Sequence, residues 1–234
     1  MLLISFYHKL LDKLHYVNGL PAFLIRLYLA PVFIMAGYSK LQLSDPSVSG
    51  IKQFFASPDI VQWLGNADWG LGLPFPELLA NLAAWSEFLG GWLLLFGLFT
   101  RLISIPLMFT MIIAATSVHG ENGWFAITPT NPDISPAKVF VWLGFEQASS
   151  SLDNSLEAAK RLEAMRGLLA ENGHTEWLYE TGSIVVLNNG IEFASTYFIL
   201  LLALFFIGAG RFTSIDHYLY NHWLKPRLVN KNRI

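Results

Sequence analysis

An all-α membrane protein is the fold class this sequence predicts. The expected form is a four-transmembrane-helix bundle with an N-terminal amphipathic helix and an α/β-hairpin insertion between helices 3 and 4. Three observations lead there. Of 234 residues, 53% are hydrophobic and only 14% charged, whereas soluble domains run near 25% charged. The apolar residues collect in four blocks, each near the ~20 residues that a helix needs to cross a bilayer. The charges collect between the blocks, and their sign changes from one connection to the next.

The elements follow in chain order. Over residues 1–19, Leu3, Phe6, Leu10, Leu14 and Val17 recur at spacings of three and four, one face of an amphipathic helix. Lys9 and Lys13 on its polar side fit a helix lying in the membrane interface or one packed on the bundle. The same charges, with Asp12, break the first apolar run and argue against a cleaved signal peptide. The first span is 20–41, opened by Pro21 at a first-turn position. Residues 42–75 form an outer loop with Pro46, Pro58 and Pro74 as turn signals. Ile51, Phe54, Phe55, Ile60, Trp63 and Leu64 make it too apolar for a free linker.

The second span, 76–100, carries Gly90-Gly91 as a close-approach surface. Thr100-Arg101 is a short turn into the third span, 101–118, so these two helices form an antiparallel hairpin. Residues 119–189 are the insertion. Val139–Phe145 is apolar but far too short to span. A helix is expected over Ser151–Asn172, with Asp153 as N-cap and Leu156, Ala159, Leu162, Met165 and Leu169 as its apolar stripe. Thr175–Tyr179 and Ile184–Leu187 bracket Thr181-Gly182 and predict a small hairpin. The fourth span is 190–210, and 211–234 is a basic tail.

Orientation follows from Lys and Arg near the spans. The tail has Arg211, Lys225, Arg227, Lys231 and Arg233 against Asp216 alone. The insertion has four bases against nine acids. Both termini are therefore expected on the cytoplasmic side, with the loop 42–75 and the insertion outside.

Charge inside a span is expensive, roughly 3 kcal/mol or more, unless paired or facing a polar cavity. Arg26 and Glu87 are such charges, and Lys40 closes the first span. Two readings stand. Arg26 and Glu87 form a buried pair that pins two helices. Alternatively, Glu87 is a protonatable group serving a polar head such as a quinone, or a proton path. A second group gathers at the ends of the spans: Glu77, His119, Glu121 and Glu192 beside Lys40. Such residues commonly cap or snorkel. One His with three carboxylates is also a metal-ligand set, and His119 with Glu192 could orient a ligand. Met108, Met111 and His119 share a helical face, which raises copper as a weaker alternative to plain packing. Haem is disfavoured, because only His119 lies near a span. The absence of cysteine excludes disulfides, thiol relays, iron–sulfur clusters and thiolate metal sites. A net charge of −2 gives no nucleic-acid footprint.

The run Arg26-Leu-Tyr-Leu-Ala-Pro-Val-Phe-Ile-Met-Ala-Gly37-Tyr-Ser-Lys40-Leu resembles the opening helix of DoxX-family membrane proteins. Glu87, Gly90-Gly91 and Leu-Phe-Thr100-Arg101 resemble that family's second helix and turn. His119-x-x-Asn122-Gly123-Trp124 and the Leu-Asn-Asn-Gly-Ile-Glu-Phe run are similar to an HvfX-like subgroup, whose members accompany maturation of copper-binding, ribosomally made modified peptides. The resemblance covers all four blocks but not residues 129–180. It implies a four-helix bundle in a bacterial inner membrane, a periplasmic insertion, and Arg26, Lys40, Glu87, His119 and Glu192 as candidate functional positions. It also implies an accessory protein linked to redox chemistry or to maturation, with a protein or peptide partner at the insertion. A small transporter or channel and a non-catalytic membrane anchor are the rival readings. Transport needs a continuous polar path, and only the first two spans carry deep charge.

Overall fold

The computed structural model describes Phe6 and residues 17–226. The amphipathic helix expected over residues 1–19 therefore lies almost wholly outside the described residues. In chain order the helices are α1 (Leu20–Lys40), α2 (Pro58–Gly65), α3 (Pro76–Phe96), α4 (Thr100–Ile113), α5 (Ala137–Trp142), α6 (Gln147–Asn172), α7 (Thr175–Leu178), α8 (Glu192–Ile207) and α9 (Ile215–Leu219). A π-helical turn, Ala114–Val118, prolongs α4. The chain forms two compact units, one of Met1–Met111 with Tyr197–Ile234 and one of Ile112–Thr196.

The first unit is built on α1 and α3. The buried positions of α1 are Ala22, Arg26, Leu29, Ala30, Phe33 and Gly37, a single stripe at helical spacing. Those of α3 are Ala80, Ala84, Glu87, Gly90, Gly91 and Leu94. The stripes are rich in small residues, so the backbones meet. A Cβ on Gly37 would overlap the Phe88 backbone, and one on Gly91 would lie 2.7 Å from the Ile34 nitrogen. Ile34 meets Gly91 and Gly37 meets Phe88, so residue numbers run in opposite directions and the two helices are antiparallel. The opposite faces present Leu24, Leu27 and Met35 on α1 and Leu78, Leu82 and Leu89 on α3. Exposed leucine on that scale fits lipid as the solvent.

Among the described residues, three helical runs are long and apolar enough to cross a membrane: Leu20–Lys40, Pro76–Phe96 and Thr100–Val118. The fourth, α8, is apolar but only 16 residues long. At 1.5 Å per residue it reaches about 24 Å, short of the ~30 Å hydrocarbon core. The expected count of four spans thus becomes three of full length and one short apolar helix.

Between α1 and α3 the chain is folded rather than free. Leu41 bridges to Ala56, and Leu41, Ala56, Leu64, Ala80 and Ala84 form one buried cluster. Partly buried Ile60, Trp63, Trp85 and Phe88 pack on it.

In the second unit, residues 123–128 run antiparallel to 186–192. Thr128 N–H donates to the Val186 carbonyl, Asn188 N–H to Ala126 and Glu192 N–H to Trp124. These bonds explain why the hairpin expected around Thr181-Gly182 does not form. Thr175–Leu178 is a helical turn, and the Ile184–Leu187 segment spends its pairing on residues near Ile127. The described residues contain no strand. Helix α6 starts at Gln147, ahead of the expected Ser151, so Asp153 lies inside it and caps nothing. Its buried face is Ser155, Ala158 and Leu162, whereas Leu156 and Met165 of the expected stripe are exposed.

Candidate functional site

The deepest charges of the first unit are Arg26 and Glu87, both essentially without solvent exposure. They are not partners. Glu87 is ion-paired and hydrogen-bonded to Lys40 Nζ. The reason is register. Gly37 lies against Phe88 and Ile34 against Gly91, so Lys40 is level with the α3 turn just before Glu87. The first two turns of α3 extend past the end of α1 and pack with Leu64 and Ala56 instead. Counting residues from the start of α3 therefore puts Glu87 too far from Lys40.

Arg26 stands at the other end of the helix pair. Fourteen positions separate it from Lys40, about 21 Å along α1. Its Nη2 donates to the Thr213 carbonyl at 2.8 Å and to Thr213 Oγ1 at 3.3 Å, and Nη1 to the Leu94 carbonyl at 3.4 Å. Arg26 Nε is buried without a hydrogen-bond partner. The guanidinium occupies the space under the α3–α4 turn that a side chain on Gly97 would fill, and Gly97 itself has φ 64. Asp216 completes this end. Its Oδ1 accepts from Phe99 N–H at 2.7 Å and its Oδ2 from Thr100 N–H at 3.0 Å. It thereby satisfies two of the donors that an α-helix N-terminus leaves open. Sequence reasoning counted Asp216 only as a charge in a basic tail. The signal was its place two residues after Ser214, in a short stretch opening a helix next to Gly208-Ala209-Gly210.

The Lys40–Glu87 pair is asymmetric. The Glu87 side chain is 2% exposed and that of Lys40 33%. A strap of residues 50–57 lies across the ends of α1 and α3. Ser57 N–H donates to the Lys40 carbonyl at 2.8 Å, Ala56 N–H to Asn81 Oδ1 at 2.9 Å and Trp85 Nε1 to the Phe54 carbonyl at 3.0 Å. The rings of Phe54 and Trp85 stack, 6.4 Å between centroids. Below the pair, the Gly37 and Gly91 contacts close the helix interface to any ligand. A groove of about 390 Å³ lies beside the strap, lined by Phe55, Ala56, Pro58, Val61, Gln62, Glu77 and Asn81. Glu77 is exposed there.

The remaining candidates belong to the second unit or are spent elsewhere. His119 Nδ1 is 2.9 Å from the Asn189 carbonyl oxygen, to which Asn122 Nδ2 also donates at 3.2 Å. Glu192 Oε2 accepts from Ala126 N–H at 2.9 Å. Both side chains therefore fasten the paired segments 123–128 and 186–192, and neither bonds the other. Asn189 has φ 57, and a Cβ on Gly190 would lie 2.5 Å from the Phe125 carbonyl oxygen, so this junction depends on an Asn and a Gly. Glu121 is exposed. Met111 is buried and Met108 half-buried in the first unit, as residues packing in a helix interface are. Among the described residues no group of three or more His, Asp or Glu could hold a metal.

No curated protein and no solved structure matches the chain. Residues 22–120, which run from α1 through the Lys40–Glu87 pair to the end of the α4 run, match the DoxX family model.

Proposed function

We propose that this protein is an integral membrane accessory protein of the bacterial inner membrane, linked to a redox or maturation step carried out with a partner. Both termini are cytoplasmic in this reading, and the insertion is periplasmic. The observation that carries it is the Lys40–Glu87 pair: a carboxylate with almost no exposure, reached through an ammonium that keeps one side open. A Lys ammonium has three donors, and Glu87 takes one. A carbonyl or phenol oxygen, as on a quinone head, could take another from the open side, while Glu87 holds or releases the proton. Such a head fits only at the Lys40 edge, because Gly37 and Gly91 bring the helices together below it.

The rival reading is an anchor in which the pair only pins α1 to α3. The closed packing around Glu87 favours it. Transport is less favoured, since Leu29, Ala30 and Phe33 fill the buried face of α1 between Lys40 and Arg26. A role in copper-peptide maturation would rest on His119, whose Nε2 is the ring nitrogen not engaged by Asn189.

Native mass spectrometry and metal analysis of the protein in mild detergent, beside Glu87→Gln and His119→Ala, separate these readings. A quinone that co-purifies and is lost in Glu87→Gln supports the redox site. Copper lost in His119→Ala supports maturation. If neither ligand accompanies a folded protein, the anchor reading replaces the redox one.

A further inference from the structure

The second unit contains an apolar tip that its own core does not use. Helix α5 and the turn after it present Val139, Phe140, Val141, Trp142, Leu143 and Phe145 at the surface, with Ile134 just before. Ile134 is 79% exposed, Trp142 73% and Leu143 67%. Of α5 only Ala137 is buried, and the unit builds its core from Phe125, Ala126, Ala158 and Leu162. The exposed apolar area of the tip is on the order of 500 Å², toward the upper end of what a soluble monomer leaves in water.

The tip is also closed by its own backbone bonds. Gly144 N–H donates to the Val141 carbonyl and Phe145 N–H to Phe140, with Gly144 at φ 88. Phe140 and Phe145 meet edge to face at 6.0 Å.

Charge marks the same segment. Residues 120–189 hold nine acids, yet none lies between Ile134 and Phe145. Lys138 is the single base there, and it pairs with Asp133 at 2.8 Å. The unit's two ends, Ile112–Val118 and Glu192–Thr196, are parts of apolar helical runs, so the chain tethers the unit to a bilayer on both sides of the tip. Effective concentration then favours lipid over any free partner.

We propose that the tip Ala137–Phe145 is an interfacial anchor, inserted among the lipid headgroups on the side where the insertion emerges. Trp142 and the two Phe lie at headgroup depth, as aromatic residues do at membrane interfaces. The anchor holds the insertion down on the bilayer surface.

The native sequence has no cysteine, so one introduced thiol can be labelled alone. The test is a bimane fluorophore on Leu143→Cys in the full chain, reconstituted in phosphatidylcholine vesicles, with Glu163→Cys on α6 as the water-facing control. Lipids bearing a shallow nitroxide should remove roughly half of the Cys-bimane emission at position 143, because an interfacial helix sits ~5–10 Å into the headgroup boundary. Aqueous iodide should quench it several-fold less than the control. Equal iodide quenching at both positions would overturn the proposal by putting the tip in water. Protection from both quenchers would overturn it by putting a protein, or a second copy, on the tip. Trp142→Cys gives the same readout should Leu143→Cys fail to fold.

Discussion

Lys40 and Glu87 show how much a residue's role depends on what closes around it. Glu87 is the costlier half, since its carboxylate has no water to return to. Replacing Lys40 by Met should leave that carboxylate unpaired. A fully buried pair broken this way loses about 3–5 kcal/mol, and the partial exposure of Lys40 lowers the expected cost to about 2 kcal/mol. Adding Glu87→Leu to the same chain removes the stranded charge and should recover most of the loss. Thermal unfolding in detergent of both singles and the double variant reads this directly. A double variant no more stable than Lys40→Met would mean that the pair is not what Glu87 answers to. Arg26 is a different case, because carbonyls and the neighbouring Asp216 answer its charge rather than a carboxylate on α3.

At the scale of elements, the α3–α4 hairpin is held at its turn by a residue more than a hundred positions away. Asp216 caps the start of α4 through two backbone amides, and α9 begins beside it. Removal of such a cap costs about 0.5–2 kcal/mol. Asp216→Ala should therefore lower the melting temperature, and it should speed hydrogen exchange at Phe99 and Thr100 before the rest of α4. Uniform exchange along α4 in that variant would show that the carboxylate is not acting as a cap. In the insertion, the Lys138 ammonium beside Asp133 holds that carboxyl below the usual carboxylate range. The pair next to the apolar tip thus stays ionised at neutral pH and is lost only in acid, as pH falls through the lowered pKa.

For the whole molecule, the relevant solvent is lipid. The outward faces of α1, α3 and α4 carry Leu, Ile, Phe and Met, and their inward stripes place Gly, Ala, Ser, Thr, Arg26 and Glu87 among a few large apolar residues. This inverts the usual soluble pattern, and the protein should stay with membranes after carbonate extraction. Sidedness is a separate prediction, resting on the basic tail and acidic insertion. In inner-membrane vesicles of known orientation, a thiol reagent that does not cross lipid should label Asn221→Cys from the cytoplasmic side and Ser183→Cys from the opposite side. Labelling of both from one side would overturn the assigned topology.

The sequence by itself determined the parts that depend on local solvent preference. Apolar blocks of about 20 residues, the Gly90-Gly91 contact surface and a short connection between α3 and α4 are decided by length and residue type, although that connection falls at Gly97–Phe99 and the expected turn residues Thr100-Arg101 already open α4. It also singled out Arg26, Lys40 and Glu87, because charge within or at the end of an apolar block stands out against its neighbours. Which of these meet is a matter of register. Register came only with the tertiary structure, where Gly37 on Phe88 and Gly91 on Ile34 slide α3 past the end of α1 and bring Glu87 to Lys40. The same holds for Asp216, whose partners are backbone amides that no side-chain pattern reveals. The hairpin expected near Thr181-Gly182 failed for a related reason. Strand pairing needs open backbone donors and acceptors, and segment 184–187 had already joined residues 125–128, a long-range choice that local turn chemistry does not encode.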